Sequence, residues 1–203
     1  MRVVQMILER KVKNTTAFTL VELLVVIGII GILAGLISTA VVSAKKKALV
    51  ASARIEIKNI VGAISKYESE YNRYPCPMNM NAAEDMVFGL DGQNAAIIDI
   101  LRDNDSPNYN PNHARNPRRI VFIEAKIATS TEMPGIGPDG TWRDPWGRAY
   151  RIGIDYNYDN KVDIPAGIFS TNSIPVPVAV WSAGADGKDG TPDDIKSWTD
   201  SKK

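Results

Sequence analysis

Phe18-Thr-Leu-Val-Glu22-Leu-Leu-Val-Val-Ile27-Gly28-Ile-Ile-Gly31-Ile-Leu-Ala-Gly35 opens an apolar run that continues to Ala44 and carries one ionisable side chain, Glu22. A run of 18 or more such residues has the length of a membrane-crossing helix, because about 20 residues at about 1.5 Å rise span a hydrocarbon core of about 30 Å. Glu22 is the anomaly. A carboxylate at the centre of a bilayer costs about 3 kcal/mol on insertion scales, so acids in such runs tend to have a function. Near the start of the run the cost is lower, and a snorkelling interfacial Glu is the plainer reading.

Outward from this stretch, Met1 to Ala17 carries Arg2, Arg10, Lys11 and Lys13 against Glu9. It has the character of a leader (residues 1–17), distinct from a secretory signal, whose apolar segment is shorter and precedes the cut. Lys45-Lys46-Lys47 and Arg54 flank the far end as heavily as the leader flanks the near one, so charge alone leaves orientation open. Gly28, Gly31 and Gly35 recur at helical spacing, as ordinary membrane-helix glycines or as points of close helix approach and local loosening.

Past Ala44 the apolar residues Ala53, Ile55, Ile57, Ile60, Val61, Ile64, Tyr67 and Tyr71 recur near a 3.6 period with charges between them. The spacing predicts one helix from Phe18 to Tyr74, about 85 Å long, stopped by Pro75. Its second half (45–74) needs a partner along one face, which the rest of the chain must supply. Residues 75–203 then form a head, in which 75–140 are least informative. Ala82 to Leu90 and Ala95 to Asp103 read as short helices. Strands are expected over Ala149 to Ile154, around Gly167 to Ser170, and over Val176 to Trp181, with prolines 165, 175 and 177 at edges and turns. The fold class is α+β, a long N-terminal helix packed on a small antiparallel sheet.

The bulk numbers exclude more than they identify. Two hundred and three residues allow one domain plus the anchor, and a net charge of +1 makes no strong case for nucleic acid. The one cysteine, Cys76, allows no internal disulfide. In its Pro-flanked turn it reads as a small, partly buried residue or as a site of lipid, thiol or intersubunit chemistry. His113, the one histidine, reads as solvated in a loop, without a second histidine for a zinc site.

Ala17-Phe18-Thr19-Leu20-Val21-Glu22, after its basic leader, resembles the processing site of type IV prepilins and type II secretion pseudopilins. In that family a prepilin peptidase cuts before the Phe and methylates its new amine. The resemblance implies cleavage between Ala17 and Phe18, N-methylation of Phe18, and an assembly role for Glu22 as fifth residue of the mature chain. The family usually has Gly where this chain has Ala17; both are small. A free α-amine is substantially charged at neutral pH and, in a dry filament core, needs an opposite charge, as a carboxylate does. In the family Glu is thought to meet the amine of the neighbouring subunit.

Asp144-Pro145-Trp146-Gly147-Arg148-Ala149-Tyr150 resembles the turn entering the sheet of major pseudopilins, and Ser182 to Ile195 resembles their C-terminal calcium loop. Calcium takes six to eight oxygens. The resemblance implies side-chain oxygens from Asp186, Asp193 and Asp194 and carbonyl oxygens from Ala183 and Thr191; composition alone is equally a solvated acidic turn. In a second acidic stretch, Asp155, Asn157, Asp159, Lys161 and Asp163 fall at alternate positions, as in the first nine places of an EF-hand-like calcium loop. That stretch has Asn160 where Gly is expected, Ala166 where a Glu would close the loop, and a polar hairpin turn as its other reading.

Together these imply a type II secretion pseudopilin. It would be a single-pass inner-membrane protein with its head in the periplasm, assembling with copies of itself and minor pseudopilins. An inner-membrane secretion and assembly platform would be a further partner, and an assembly ATPase outside this chain would drive the filament. Two alternatives stand beside it. One is a type IV pilin for adhesion, motility or DNA uptake, many of which close their C-terminal loop with two cysteines; nucleic acid would be a partner only there. The other is a membrane-tethered enzyme, for which no nucleophile–base pair, metal cluster or phosphate loop is present.

Overall fold

A computed structural model describes residues 19–78, 80 and 82–199. The leader and the Ala17–Phe18 processing site lie outside the described residues. The elements in chain order are helix α1 (Leu20–Tyr71), strand β1 (Met86–Phe88), helix α2 (Ala95–Leu101), then strands β2 (Gly135–Ile136), β3 (Trp142–Arg143), β4 (Arg151–Ile154), β5 (Val162–Asp163), β6 (Ser173–Ile174), β7 (Val178–Ser182) and β8 (Ile195–Lys196). The chain divides into two compact units between Ala44 and Lys45.

In the first unit, the apolar part of α1 has a mean hydropathy of 2.8 over its most apolar 18 residues, none of them buried. Large side chains from Leu20 to Val42 are exposed around the whole circumference. A Cβ added at Gly28, Gly31 or Gly35 would meet open space, so these glycines are not required by any contact within the described chain.

In the second unit, α1 buries Ala53, Ile57, Ile60, Ala63, Ile64 and Tyr67, a face built by steps of three and four. Ile55, expected on that face, is out of phase and exposed. The helix ends at Tyr71, three residues before the expected Tyr74. Asn72 takes a left-handed φ of 52° and its N–H bonds to the Glu68 carbonyl at 2.7 Å, so an Asn cap acts before Pro75 can.

The main sheet is antiparallel in the order β1-β4-β7-β8. Alternation sorts its side chains onto two faces. Ile152, Ile154, Val178 and Val180 join the helix face of α1 in one core, while Ala179 and Trp181 join Val162, Ile164 and Ile174 in a smaller one. Gly153 permits the second packing, since a Cβ there would come 2.6 Å from Val162 Cγ1.

Two expectations are corrected. Ala82 to Leu90 contains no helix; its Met86–Phe88 pairs with Ile154–Ile152 as the edge strand β1. Gly167 to Ser170 is a turn, begun by Gly167 at φ 91°, and the neighbouring strand is β6. There Phe169 packs edge-on against Trp181 and Trp198.

Candidate functional site

Four places carry the chemistry. The first is the start of α1. The Thr19 N–H and hydroxyl both donate to Glu22 Oε2, at 2.9 and 2.8 Å, and the Glu22 N–H donates to Thr19 Oγ1 at 3.2 Å. This reciprocal capping box satisfies two amides that the first turn of a helix leaves open. Its sequence signal, Thr followed three places later by Glu before an apolar run, was available and went unread beside the processing motif. Glu22 is therefore locally structural and still exposed, with Oε1 making no hydrogen bond among the described residues.

The second is the Asp144–Tyr150 turn. Asp144 is fully buried; its Oδ1 accepts the N–H groups of Trp146 and Arg148, both at 2.9 Å, and its Oδ2 accepts the Ser182 hydroxyl. Gly147 sits at φ 86°, where a Cβ would come 2.6 Å from the Glu132 carbonyl. Tyr150 is also buried and donates to Glu56 Oε2 of α1 at 2.8 Å; burial pushes its hydroxyl well above the ordinary range. Trp146 is partly buried against the core. Asn94, which the sequence reading passed over, staples this turn to the head. Its amide donates to the Trp142 and Tyr150 carbonyls and accepts the Trp142 N–H, at 2.8–2.9 Å.

Beside that turn lies the C-terminal acidic loop. Asp193 Oδ2 accepts the Asp186 N–H at 3.1 Å, and Oδ1 accepts the Thr191 hydroxyl. The Thr191 bond, then the Asp186 amide, hold the Asp193 carboxyl below the usual range. Asp194 Oδ2 accepts the Gly190 N–H at 2.8 Å, while its Oδ1 is buried without a partner. Burial pushes this carboxyl up. The Ala183 and Thr191 carbonyls accept the N–H groups of Gly187 and Asp194. Asp189, unassigned from sequence, anchors the loop to the sheet through the Trp181 indole at 2.9 Å and the Arg151 guanidinium at 3.0 Å. Arg148 of the turn donates to the Gly184 carbonyl at 3.1 Å and lies against Gly187.

The second acidic stretch is arranged differently. Asp155, nearly fully buried, accepts the N–H groups of Asp159 and Asn160; Asn157 also accepts from Asp159, and Asp159 from Lys161. Asn160 takes the left-handed φ of 65° in the place where Gly was expected, and Tyr158 does so too, at 61°. Asp85 brings a carboxylate from outside the stretch and accepts the Tyr156 and Asp163 amides. Asp85, Asp155 and Asp159 offer oxygens within 4.8 Å of one another, a group that does not include Asp163. Among the described residues, no three carboxylates of the C-terminal loop approach as closely.

The structure also corrects the reading of His113. It is not a free loop side chain. Its Nδ1 lies 2.6 Å from Asp103 Oδ1, and its Nε2 accepts from Arg119 at 2.9 Å.

Comparison with known proteins agrees with the motif at the start of α1. A family model described as the prokaryotic N-terminal methylation motif matches residues 12–38. The chain is 28% identical over 186 residues to the type II secretion system core protein G of Aeromonas hydrophila, covering 92% of this chain and 94% of that one. It is 27% identical over 186 residues to the core protein G of Pectobacterium carotovorum subsp. carotovorum, covering 92% and 86%. No solved structure matches the chain significantly. The chain thus carries the prokaryotic N-terminal methylation motif and is similar over nine-tenths of its length to type II secretion system core proteins G.

Proposed function

We propose that the chain is the structural subunit of a type II secretion pseudopilus, and not an enzyme. It is cut between Ala17 and Phe18 by a prepilin peptidase, methylated on the Phe18 amine, and held in the inner membrane with its head in the periplasm. There it stacks with copies of itself and with minor pseudopilins under an inner-membrane assembly platform. The observation that carries this reading is a helix whose apolar half is uncovered on every side and begins with one exposed carboxylate. Among the described residues Glu22 uses only Oε2, which leaves Oε1 for the amine of a neighbouring subunit. Glu22→Ala tests this in cells. The variant should enter the membrane and be processed, while filament yield seen by electron microscopy falls to background. Normal filaments from that variant would refute the role.

The C-terminal loop fits calcium by its donors. Asp186, Asp193 and Asp194 supply hard oxygens and negative charge, and the Asp194 oxygen buried without a partner lacks only a cation. These three, with the Ala183 and Thr191 carbonyls, would hold the ion, and the ion would supply a cross-link closing the loop. Arg148 and Asp189 fasten that loop to the Asp144 turn and the sheet, so its order is transmitted to the core.

A further inference from the structure

Where α1 gives way to the head, a cavity of about 300 Å³ is lined by Arg73, Arg115, Cys76 and the rings of Tyr67, Tyr74 and Tyr156. Its neutral polar groups are engaged. The Tyr67 hydroxyl donates to the Arg115 carbonyl, and the Tyr156 hydroxyl to the Pro75 carbonyl at 2.6 Å. Its charges find no carboxylate among the described residues, although Arg73 hydrogen-bonds the Tyr67 hydroxyl. Arg115 makes one side-chain hydrogen bond, to the Pro77 carbonyl at 3.3 Å, and its Nε is buried without an acceptor. Among the described residues no carboxylate pairs with Arg73, which is exposed, or with Arg115, which is half-buried, whereas the buried Arg143 and Arg151 each have an Asp. The nearby Asp155 has both oxygens on the amides of Asp159 and Asn160. Both guanidinium groups also bear on the Cys76 thiol, pulling its ionisation down against the larger upward push of burial. Both line the same cavity.

Two guanidinium groups without a carboxylate among the described residues, beside an aromatic wall, are matched by one planar or tetrahedral oxyanion, which accepts several N–H donors at once. We propose that this cavity binds a single oxyanion, a carboxylate or a phosphate, through Arg73 and Arg115. The group arrives either on an acidic side chain of a protein partner or as the free ion.

Cys76 is the one thiol of the chain, is 8% exposed and lines the cavity, so its labelling rate reports access through that cavity. The full chain in detergent is labelled with N-ethylmaleimide at constant ionic strength, with inorganic phosphate or N-acetylglutamate amide as probe. A probe at ten times its Kd should slow labelling about tenfold and saturably. Protection by phosphate alone identifies the free ion as the source, and protection by the glutamate derivative identifies the side chain. Arg73→Gln, at an exposed residue outside the core, should abolish protection, and Arg73→Lys should keep part of it. The proposal is overturned if neither probe slows labelling, if sodium chloride slows it equally, or if Arg73→Gln leaves protection intact.

Discussion

The two halves of α1 are both helical and both rich in Ile, Leu, Val and Ala, yet they solve the burial problem in opposite ways. From Lys45 to Tyr71, apolar residues fall on one face, and that face is covered by the chain's own sheet and by α2. From Leu20 to Ala44 they fall on all faces, and nothing in the described chain covers them. Stability of the first kind belongs to the single molecule. On the function proposed above, the second kind would be supplied by lipid before assembly and by other subunits after it. Glu22 belongs to the second kind, and Glu56, which receives the Tyr150 hydroxyl, to the first.

The sharpest way to break this comparison is to make one substitution in both halves. Ile60→Ala removes a fully buried side chain and should cost the head about 2–5 kcal/mol. Ile30→Ala, in the uncovered half, should leave head unfolding within about 0.5 kcal/mol of the parent, as read by thermal melts in detergent. Equal losses would show that the halves are not energetically separate. Calcium should act on the head alone. Saturation at a hundred times Kd should add about 2.7 kcal/mol to its stability, and chelation or Asp193→Ala should remove that gain. Membrane association should be unchanged by either. A melt indifferent to calcium would dismiss the metal.

The smallest expected effect is a pH dependence. The paired Arg143 guanidinium, 2.6 Å away, draws the Asp139 carboxyl down to about 2. An acid with a depressed folded-state pKa stabilises above its unfolded value, near 4, and loses that contribution as pH falls toward 2. The gap in melting temperature between the parent and Asp139→Asn should therefore be open above about pH 4 and close toward pH 2. Asp139 is partly exposed and screened by solvent, so the gap should be small.

The parts of the molecule legible in sequence were those governed by a repeat or a local turn rule. The 3.6 period gave the buried face of α1, α2 was read to within two residues, and alternation marked β4 and β7. What escaped depends on partners distant in the chain. Met86–Phe88 is a strand because β4 offers it an edge, and nothing in Ala82 to Leu90 announces that. Asn94 and Asp85 look like loop residues until their acceptors and donors, 48 to 78 residues away, are known. At the acidic loops, the sequence marks oxygens but not their orientation. In both loops those oxygens face backbone amides as much as one another, since a short turn must first satisfy its own N–H groups.

The account rests on the apolar half of α1 being covered by the same half of other copies. Ile32, exposed at 69%, is a position from which to measure this. Ile32→Cys in a Cys76→Ala background should, on oxidation in cells, yield a ladder of cross-linked dimers and, once Leu24→Cys is added, higher oligomers; Glu22→Ala should suppress it. A chain that remains monomeric under oxidation while still in the membrane would contradict the account.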